Sequence, residues 1–352
     1  MKCRFCDTAL LDVFLDLGSA PPSNAFLRAE DLSAPETWFP LRLYTCTECH
    51  LVQVDEVQKH DALFSGDYVY FSSYSRSWLA HAERYVAHAS ERLGLGPDSL
   101  VMEIASNDGY LLQYAKARGI ACVGIEPTAS TAVAARERGI ETIERFFGRA
   151  FAQEFVTARR KADLVVANNV LAHVPDLNDF VAGLATVLAP EGAVTIEFPH
   201  LLQLVAQHQF DTVYHEHFSY FSFHTVQRIL ARHGLRVWDV EELATHGGSL
   251  RLWACHDPAA HRETPAVAGL LAKEATAGML DMDFYRGFQH VADTVKNDFL
   301  TFLLDCKRSG KQVVGYGAAA KGNTLLNYAG VRPDLLGYED RKSTRLNSSH
   351  LV

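Results

Sequence analysis

The chain has 352 residues, which is more than one ordinary domain needs, so two or three domains are expected. Hydrophobic residues make up 48% of the sequence and charged residues 21%, a composition typical of a globular protein. The formal net charge of -9 disfavours a general nucleic-acid-binding surface, so a polyanionic ligand would need a local basic pocket.

The sequence shows neither an apolar run of 18 residues nor a signal-peptide pattern at Met1. The expected location is therefore the cytoplasm, with no membrane and no nucleic acid as partner. The seven cysteines, an odd number, are then expected to be reduced thiols or metal ligands rather than a disulfide framework.

Two C-x2-C motifs lie near the N-terminus, the first formed by Cys3 and Cys6 and the second by Cys46 and Cys49. Four thiolates in this arrangement can close a tetrahedral structural zinc site, which leaves no open position for a reactive water. A redox role for one pair is the alternative, although neither pair opens a helix after a strand. The residues between the motifs predict a turn-rich loop over 15–24 and a short strand over 39–44.

A tyrosine-rich segment, 67–78, leads into a helical pattern that reaches about Leu93. Its residues Tyr68 and Tyr70 could line a polar ligand cleft, and a tyrosine-rich domain contact is an equal alternative.

The stretch from Leu100 to Leu112 organises the chain. It predicts a buried strand over 100–104, a tight turn over 106–109 and a helix over 110–118. A second apolar strand, 121–125, ends at Glu126, whose carboxylate can accept both hydroxyls of a ribose. A Rossmann-type unit without a ligand is the alternative interpretation.

The alternation of helices and strands continues as far as Phe198, with helices over 128–138, 148–158 and 177–188 and strands over 163–168 and 193–198. Continuous apolar strands predict a parallel sheet covered on both faces. Ligands of such sheets lie beyond the carboxyl ends of the strands, which here carry polar residues, namely Glu103, Glu126, Asn168, Asn169 and Glu197.

The segment Tyr214-His-Glu-His217 concentrates the groups that general acid/base chemistry uses near neutral pH. A metal site is the competing interpretation, but adjacent side chains diverge on a helix or a strand and cannot all face one ion. Structural packing is the third possibility.

Downstream, the pattern predicts a helix over 225–233, strands over 235–240 and 248–255, and a helical region over 265–309. A glycine-rich turn then surrounds Lys321, with Gly315, Gly317 and Gly322, and could hold a diphosphate at a helix N-terminus. The order of its residues is not that of a Walker A loop.

Taken together, the motifs described above are highly specific for one protein family. The order of Val101 to Gly109, Glu126 and Asn168 to His173 resembles the class I S-adenosylmethionine-dependent methyltransferases. The paired C-x2-C motifs, the tyrosine-rich segment, Tyr214 to His217, His246-Gly-Gly-Ser249 and the Lys321 turn resemble the zinc-containing sugar C-methyltransferases. Members of that family act on nucleotide-linked 4-keto-deoxysugars, commonly at C3.

The resemblance implies an α/β fold with a Rossmann-like, doubly wound class I methyltransferase domain at its centre, over residues 76–256. A zinc-binding domain would span residues 1–75 and an incomplete Rossmann-like domain residues 257–338. The tail, 339–352, departs from the family pattern and is expected to be non-native or disordered. The sequence leaves the oligomeric state open, and a monomer is compatible with it.

The resemblance also implies roles for individual residues. His217 would be the catalytic base, assisted or positioned by Tyr214 and Glu216, with His173 and Tyr68 or Tyr70 near the sugar's keto group. S-adenosylmethionine would be held by residues at the strand ends, namely Glu103, Ser106, Asn107, Asp108, Gly109, Glu126, Pro127, Asn168 and Asn169. The nucleotide-linked 4-ketosugar would be held by residues of the last third of the chain, namely His246, Ser249, Tyr316, Lys321 and Asn323.

Two other functions remain open from sequence alone. One is an O- or N-methyltransferase of small metabolites, which would need neither the zinc module nor the second glycine-rich turn. The other is a zinc-dependent binding protein that retains a methyltransferase fold without turnover.

Overall fold

The computed structural model describes residues 1–22, 30, 33–55, 71–316, 320–337 and 339–340. The N-terminal part contains β1 (Asp12–Ala20), β2 (Phe39–Thr45) and β3 (Val52–Val54). The central part follows in chain order as α1 (Arg76–Leu93), β4 (Leu100–Ile104), α2 (Leu112–Ala117), β5 (Ala121–Ile125), α3 (Ala129–Glu137), β6 (Thr142–Ile143), α4 (Arg149–Ala158), β7 (Ala162–Asn168), α5 (Leu177–Val187), β8 (Leu188–Pro199), α6 (Leu201–Ala206), β9 (Ser219–Tyr220), α7 (Phe223–Arg232), β10 (Leu235–Leu243) and β11 (Ser249–His256).

The C-terminal part is mainly helical. Its elements are α8 (Pro265–Thr276), α9 (Met282–Arg286), α10 (Phe288–Arg308), β12 (Gly315–Tyr316), α11 (Ala320–Ala329) and β13 (Glu339–Asp340). The helical region predicted over 265–309 is thus three helices in succession. The predicted tail, apart from Glu339 and Asp340, lies outside the described residues.

The central sheet has the strand order β10-β11-β8-β7-β4-β5-β6. The pairs from β8 to β6 are parallel, whereas β11 is antiparallel to both β8 and β10. This mostly parallel, doubly wound sheet confirms the class I methyltransferase fold predicted from the sequence, and it adds an antiparallel edge.

Both faces of the central sheet are covered, as its apolar strands require. Met102 and Ile104 of β4 pack into one core with the helices α4 and α5. Val101 lies on the opposite face and packs with Tyr85 and Val86 of α1. Successive residues of a strand point to opposite faces, so burial of both faces explains why every residue of β4 except Glu103 is apolar. In the described part of the chain, no helix is both long and apolar enough to cross a membrane.

The prediction of a loop over 15–24 was wrong for its first part, because residues 15–20 belong to β1. Gly18 has a φ of 73°, and the pairing of β1 with β2 shifts between Asp16 and Ser19. A glycine in the left-handed region can form a bulge that bends a strand without ending it. The turn residues therefore mark a bulge here rather than a loop.

The two C-x2-C motifs form matching turns. Asp7 N donates to the Cys3 carbonyl at 3.0 Å and His50 N to the Cys46 carbonyl at 2.9 Å, and Asp7 and His50 both have positive φ. The turns bring together four sulfur atoms that all lie within 4.8 Å of one another, those of Cys3, Cys6, Cys46 and Cys49.

The sulfur spacing matches a tetrahedral zinc site. The Sγ atoms of Cys3 and Cys49 are 3.5 Å apart, as are those of Cys6 and Cys46. Four sulfurs about 2.3 Å from a zinc ion lie about 3.8 Å from one another. The cysteines of both motifs are therefore the ligands of a structural zinc, as the sequence predicted.

The zinc module shares its sheet with a strand from the middle of the chain. The order of this second sheet is β1-β2-β3-β9, and β3 pairs with β9 through Val52 opposite Tyr220 and Gln53 opposite Ser219. Because β3 directly follows the second zinc turn, the zinc module supports the segment that carries Tyr214 and His217.

The C-terminal part docks on the same segment. The Thr324 hydroxyl of α11 donates to the Val213 carbonyl at 2.8 Å, and Tyr328 packs edge-on against Phe210 with ring centroids 5.8 Å apart. The segment between Phe210 and Tyr220 is thus held from two sides.

A buried carboxylate joins α8 to the central domain. Glu274 Oε1 accepts from Phe223 N at 2.6 Å and contacts His200 Nε2 at 2.7 Å, while Oε2 accepts from His224 N at 2.8 Å. The side chains of Glu274 and His200 are fully buried. The carboxylate therefore satisfies backbone donors at the start of α7 that water cannot reach.

We expect Glu274→Ala to lower the free energy of unfolding by about 3–5 kcal/mol, because it leaves buried donors without an acceptor. Urea denaturation measures the change. The neighbouring Lys273 is the control, since its half-exposed ammonium pairs with Glu242 at the surface and Lys273→Ala should cost less than about 1 kcal/mol. Equal losses for the two variants would contradict this role for Glu274.

We expect Cys46→Ser to abolish stoichiometric zinc and to lower the melting temperature by about 5 °C or more, because structural zinc contributes folding free energy directly. Metal analysis and a thermal melt measure both effects. Cys122→Ser is the control, since Cys122 lies on β5 outside the cluster and should leave the zinc content unchanged. Full zinc content in Cys46→Ser would count against the site.

Candidate functional site

The polar strand ends predicted from the sequence lie along one edge of the central sheet. Parallel pairing places Glu103 of β4 opposite Gly124 of β5, and Asn168 of β7 opposite Glu197 of β8. The carboxyl ends of β8, β7, β4 and β5 are therefore neighbours, and this carboxyl edge is where ligands of such sheets bind.

The loop after β4 turns sharply at this edge. Ala105, Asn107 and Gly109 have positive φ values of 55°, 49° and 75°. A Cβ atom on Gly109 would lie 3.1 Å from Ile140, and one on Gly124 would lie 2.3 Å from the Ser106 hydroxyl. The loop thus packs on β5 at Gly124 and against Ile140 at Gly109, and a side chain at either position would crowd these contacts.

The loop after β4 is held by Glu126, which directly follows the neighbouring strand β5. Its buried carboxylate accepts from Asn107 N at 2.8 Å and from Thr128 N at 2.9 Å. Burial raises the pKa of Glu126, and these backbone bonds oppose the shift. The side chains of Thr128 and Thr131 also hydrogen-bond to this carboxylate, and a ligand hydroxyl could take the place of such a donor.

Glu103 lies in a still less polar environment. Burial raises its pKa well above the ordinary value, a hydrogen bond from Tyr110 lowers it, and the nearby charges of Glu126 and Asp108 raise it further. Glu103 is therefore neutral over a wider pH range than an exposed carboxyl group. A cationic ligand at this edge would favour its ionised form.

Several buried polar atoms at the carboxyl edge lack a hydrogen-bond partner among the described residues, namely Glu103 Oε2, Ser106 Oγ, Asp108 Oδ1, Asn168 Oδ1 and Asn169 Nδ2. Buried polar atoms normally find partners, so a cluster of unpaired donors and acceptors indicates a polar ligand. Both donors and acceptors are present, and the ribose hydroxyls and amino acid part of S-adenosylmethionine offer the complementary groups.

Two of the predicted ligand-binding side chains also hold the loop to the segment before α1. Asn107 Oδ1 accepts from Ser72 N at 2.9 Å. The buried Asp108 carboxylate accepts from the Ser73 hydroxyl and pairs with Arg138 at 2.9 Å. These contacts were not foreseen, because Ser73 and Arg138 are distant from the loop in sequence.

Pro127 lines a cavity of about 510 Å³ beyond β5 and β6. The sequence interpretation missed the rest of its lining, which includes Glu144, Phe146, Phe147 and Gly148. Phe146 is 48% exposed, and an aromatic pair directly after β6 at the ligand-binding edge was the available signal.

His217 lies at the centre of an imidazole and phenol cluster. Its ring centroid is 4.0 Å from that of Tyr214 and 4.7 Å from that of His173. Burial lowers the pKa of His217 well below its ordinary value, as do the nearby charges of His173 and Lys321, while a bond to the Thr212 carbonyl opposes the shift. A carbonyl can only accept, so the other ring nitrogen of neutral His217 carries the lone pair that a base needs.

His173 has a defined tautomer. Its Nδ1 lies 2.9 Å from the Glu216 carbonyl, which can only accept, so Nδ1 carries the proton and Nε2 is an acceptor in the neutral ring. Burial lowers the pKa of His173 to about 4. The structure thus places two neutral imidazoles side by side.

The remaining residues of the Tyr214 to His217 segment are Glu216 and His215. The Glu216 side chain is buried, and its carbonyl orients His173. His215 is buried against β2, with Nε2 3.3 Å from the Phe39 carbonyl and 3.2 Å from the Pro40 carbonyl. The two histidines of this segment therefore face different parts of the fold, which disfavours a shared metal ion.

The structure places two of the residues predicted to bind the sugar acceptor near His217. Lys321 and His246 influence the pKa of His217, so both lie near the base. Tyr316 is 72% exposed, and Ser249 is buried with its hydroxyl bonded to the Thr245 carbonyl at 2.9 Å. Asn323 is half-buried on α11, and Tyr68, Tyr70 and Gly317 lie outside the described residues.

Solved structures that are similar to part of this chain include the PH0226 protein from Pyrococcus horikoshii OT3, with 15% identity and a TM-score of 0.44 over 56% of this chain and 99% of that chain. Another is magnesium protoporphyrin IX methyltransferase from Synechocystis PCC 6803 with bound SAM, with 16% identity and a TM-score of 0.38 over 56% of this chain and 88% of that chain.

Three family models match successive parts of the sequence. Their descriptions are "Putative zinc binding domain" for residues 3–64, "Methyltransferase domain" for residues 78–240 and "C-methyltransferase C-terminal domain" for residues 244–348. A curated relative, C-methyltransferase NovU from Streptomyces niveus, is 37% identical over 331 residues, which span 94% of this chain and 78% of the relative. The chain therefore belongs to the zinc-containing, S-adenosylmethionine-dependent C-methyltransferases.

Proposed function

We propose that this enzyme transfers a methyl group from S-adenosylmethionine to C3 of a nucleotide-linked 4-keto-deoxysugar by general-base enolisation. The observation that carries the proposal is neutral His217 between Tyr214 and His173 at the ligand-binding edge, with the ammonium group of Lys321 nearby. The proposed acceptor class rests on the family resemblance and on this chemistry.

A carbon beside a ketone becomes nucleophilic when it loses a proton, because the negative charge moves onto the carbonyl oxygen. Neutral His217 would remove the proton from C3 through the ring nitrogen that is not bonded to Thr212. The resulting imidazolium would be stabilised by the enolate beside it.

The developing enolate oxygen needs donors or positive charge. The Tyr214 hydroxyl can donate a hydrogen bond, and Lys321 contributes charge at longer range. His173 would position the acceptor through Nε2, because Nδ1 is committed to the Glu216 carbonyl.

S-adenosylmethionine, when bound, supplies an electrophilic methyl group. Glu126 would accept the ribose hydroxyls, and the polar atoms of Glu103, Ser106, Asn168 and Asn169 would face the amino acid part. The cavity beside Pro127 and Phe146 has the aromatic lining that a purine ring needs.

The acceptor would occupy the opposite side of His217. His246 and Lys321 would contact the sugar and its diphosphate, and the half-buried Asn323 follows Lys321 by two residues on α11. The exposed Tyr316 could stack on the nucleotide base, whereas buried Ser249 would act by shaping its turn.

We also propose the domain boundaries given by the motifs, with residues 1–75, 76–256 and 257–338 as the three units. The shared sheet of β3 and β9 and the contact of Thr324 with Val213 support an active site that needs all three units.

We expect His217→Asn to slow methyl transfer about 10²- to 10⁴-fold and to abolish solvent deuterium exchange at the sugar carbon, because the base is lost. Incubation with S-adenosylmethionine and a panel of nucleotide 4-ketosugars, followed by product mass and carbon-carbon bond analysis, measures both. His290→Asn, at an exposed position of α10, is the control.

Undiminished deuterium exchange in His217→Asn would remove His217 from the role of base. A product methylated on oxygen or nitrogen would replace the proposed reaction with the competing transferase reaction. Binding of S-adenosylmethionine without any turnover across the panel would leave the proposed acceptor class unsupported.

The pH profile gives an independent test of the base. The pKa of His217 lies well below its ordinary value of 6.5, and only the neutral ring can accept the proton. At saturating S-adenosylmethionine we therefore expect kcat/KM for the acceptor to stay level between pH 7.5 and 6.5 and to fall only at lower pH. A fall that is already half complete at pH 6.5 would contradict the assignment.

A further inference from the structure

Glu197 is a buried carboxylate beneath the ligand-binding edge that no step above uses. It lies two residues before the end of β8, its side chain is fully buried, and its Oε2 lies 2.7 Å from Arg251 Nη2 and 2.9 Å from His81 Nε2. Its Oε1 accepts from the Thr245 hydroxyl at 3.1 Å. One carboxylate therefore connects β8 with β11, α1 and the turn after β10.

The turn held by Thr245 presents His246. His246 has a φ of 51°, a conformation that residues other than glycine seldom adopt and that often marks a functional position. Gly247 and Gly248 follow with φ values of 79° and 116°, and a Cβ atom on either would lie under 3 Å from Gln209 or Gln203. The turn is thus tightly packed on its far side.

Backbone contacts fix the same turn at its end. Gln209 Nε2 donates to the Gly247 carbonyl at 2.9 Å, and His200 N donates to the Gly248 carbonyl at 3.0 Å. At its start, the Thr245 hydroxyl donates to Glu197, and the Thr245 carbonyl accepts from the Ser249 hydroxyl. The bond to Glu197 thus ties the Thr245 side chain, next to His246, to the central sheet.

Glu197 also supports the surface against which His246 packs. His81, which contacts Glu197, stacks on Trp78 with ring centroids 4.9 Å apart, and Trp78 packs edge-on against His246 at 5.4 Å. Both the turn and the aromatic ring beside it are therefore tied to one carboxylate.

Glu197 is ionised despite its burial. Burial would raise its pKa, but the hydrogen bond from His81 and the charge of Arg251 outweigh burial and hold the pKa below its ordinary value. The ionised carboxylate accepts from all of its partners at once, which a neutral carboxyl group could not do.

We propose that Glu197 is a positioning residue for the sugar acceptor, acting through Thr245 and Trp78 on the imidazole of His246 without touching the acceptor itself. The inference rests on the proposed placement of the acceptor beside His246. It adds a residue that sets acceptor alignment from beneath the site.

The test removes the hydrogen bond between Thr245 and Glu197 and keeps the buried charge of Glu197. Glu197→Gln is avoided because it would take from Arg251 the fully buried one of its two ion-pair partners, Glu197 and Glu241. Thr245 is half-buried, and Thr245→Val removes the hydroxyl while keeping the shape of the side chain. Thr245→Ser restores the hydroxyl and is the matched control. Each is combined with His246→Gln in a double-mutant cycle.

We expect Thr245→Val to raise the KM for the methylated nucleotide 4-ketosugar about 5-fold, as loss of one hydrogen bond would, with an unchanged Kd for S-adenosylmethionine. Thr245→Ser should restore the KM. Added to His246→Gln, Thr245→Val should not change the acceptor KM further, because the hydrogen bond from Thr245 to Glu197 acts on the acceptor through His246.

An unchanged acceptor KM in Thr245→Val, or an effect fully additive with that of His246→Gln, would overturn the role of Glu197 and leave the proposed function standing. An unchanged acceptor KM in His246→Gln would instead remove His246 from the acceptor site, and the inference would fall with that placement. Methyl transfer to carbon in either variant would still support the proposed reaction.

Discussion

The pairing of β3 with β9 is the contact on which the active site depends. The second zinc turn leads directly into β3, and β9 follows His217 by two residues, so the zinc module fixes the end of the segment that carries the proposed base. A segment without a strand partner would have to order itself from irregular turns at a large entropic cost. This contact gives a physical reason for a zinc module in a methyltransferase whose proposed base is an imidazole.

The ionisable groups at the ligand-binding edge have different pKa shifts because their surroundings differ. Glu103 and Glu126 are buried with raised pKa values, Glu197 is paired with Arg251 and has a lowered pKa, and His173 and His217 are held neutral. A cationic donor at this edge would be stabilised by the carboxylates, while a neutral imidazole stays available as a base at neutral pH. The same buried surroundings that make the groups unusual also exclude water from the proposed enolate.

The hydrophobic pattern of the sequence predicted the alternating strands and helices well. Each strand of the parallel sheet is buried on both faces, and each covering helix has one apolar side. The pattern failed at Leu15–Ala20, where Gly18 forms a bulge within a strand, and it did not foresee the antiparallel edge of β10 and β11. Bulges and strand direction depend on the partner strand, which local sequence does not specify.

The sequence by itself determined the cysteine ligands, the methyltransferase order of elements and the group of residues from which the proposed base is drawn, because chain order and spacing specify these. The tertiary structure alone decided which groups meet. It placed His215 against β2 and His217 beside His173, committed Asp108 to Ser73 and Arg138, and brought Glu197 under the turn of His246. Contacts between residues tens to hundreds of positions apart arise from packing, and the direction of a side chain in an irregular segment follows from its neighbours in space.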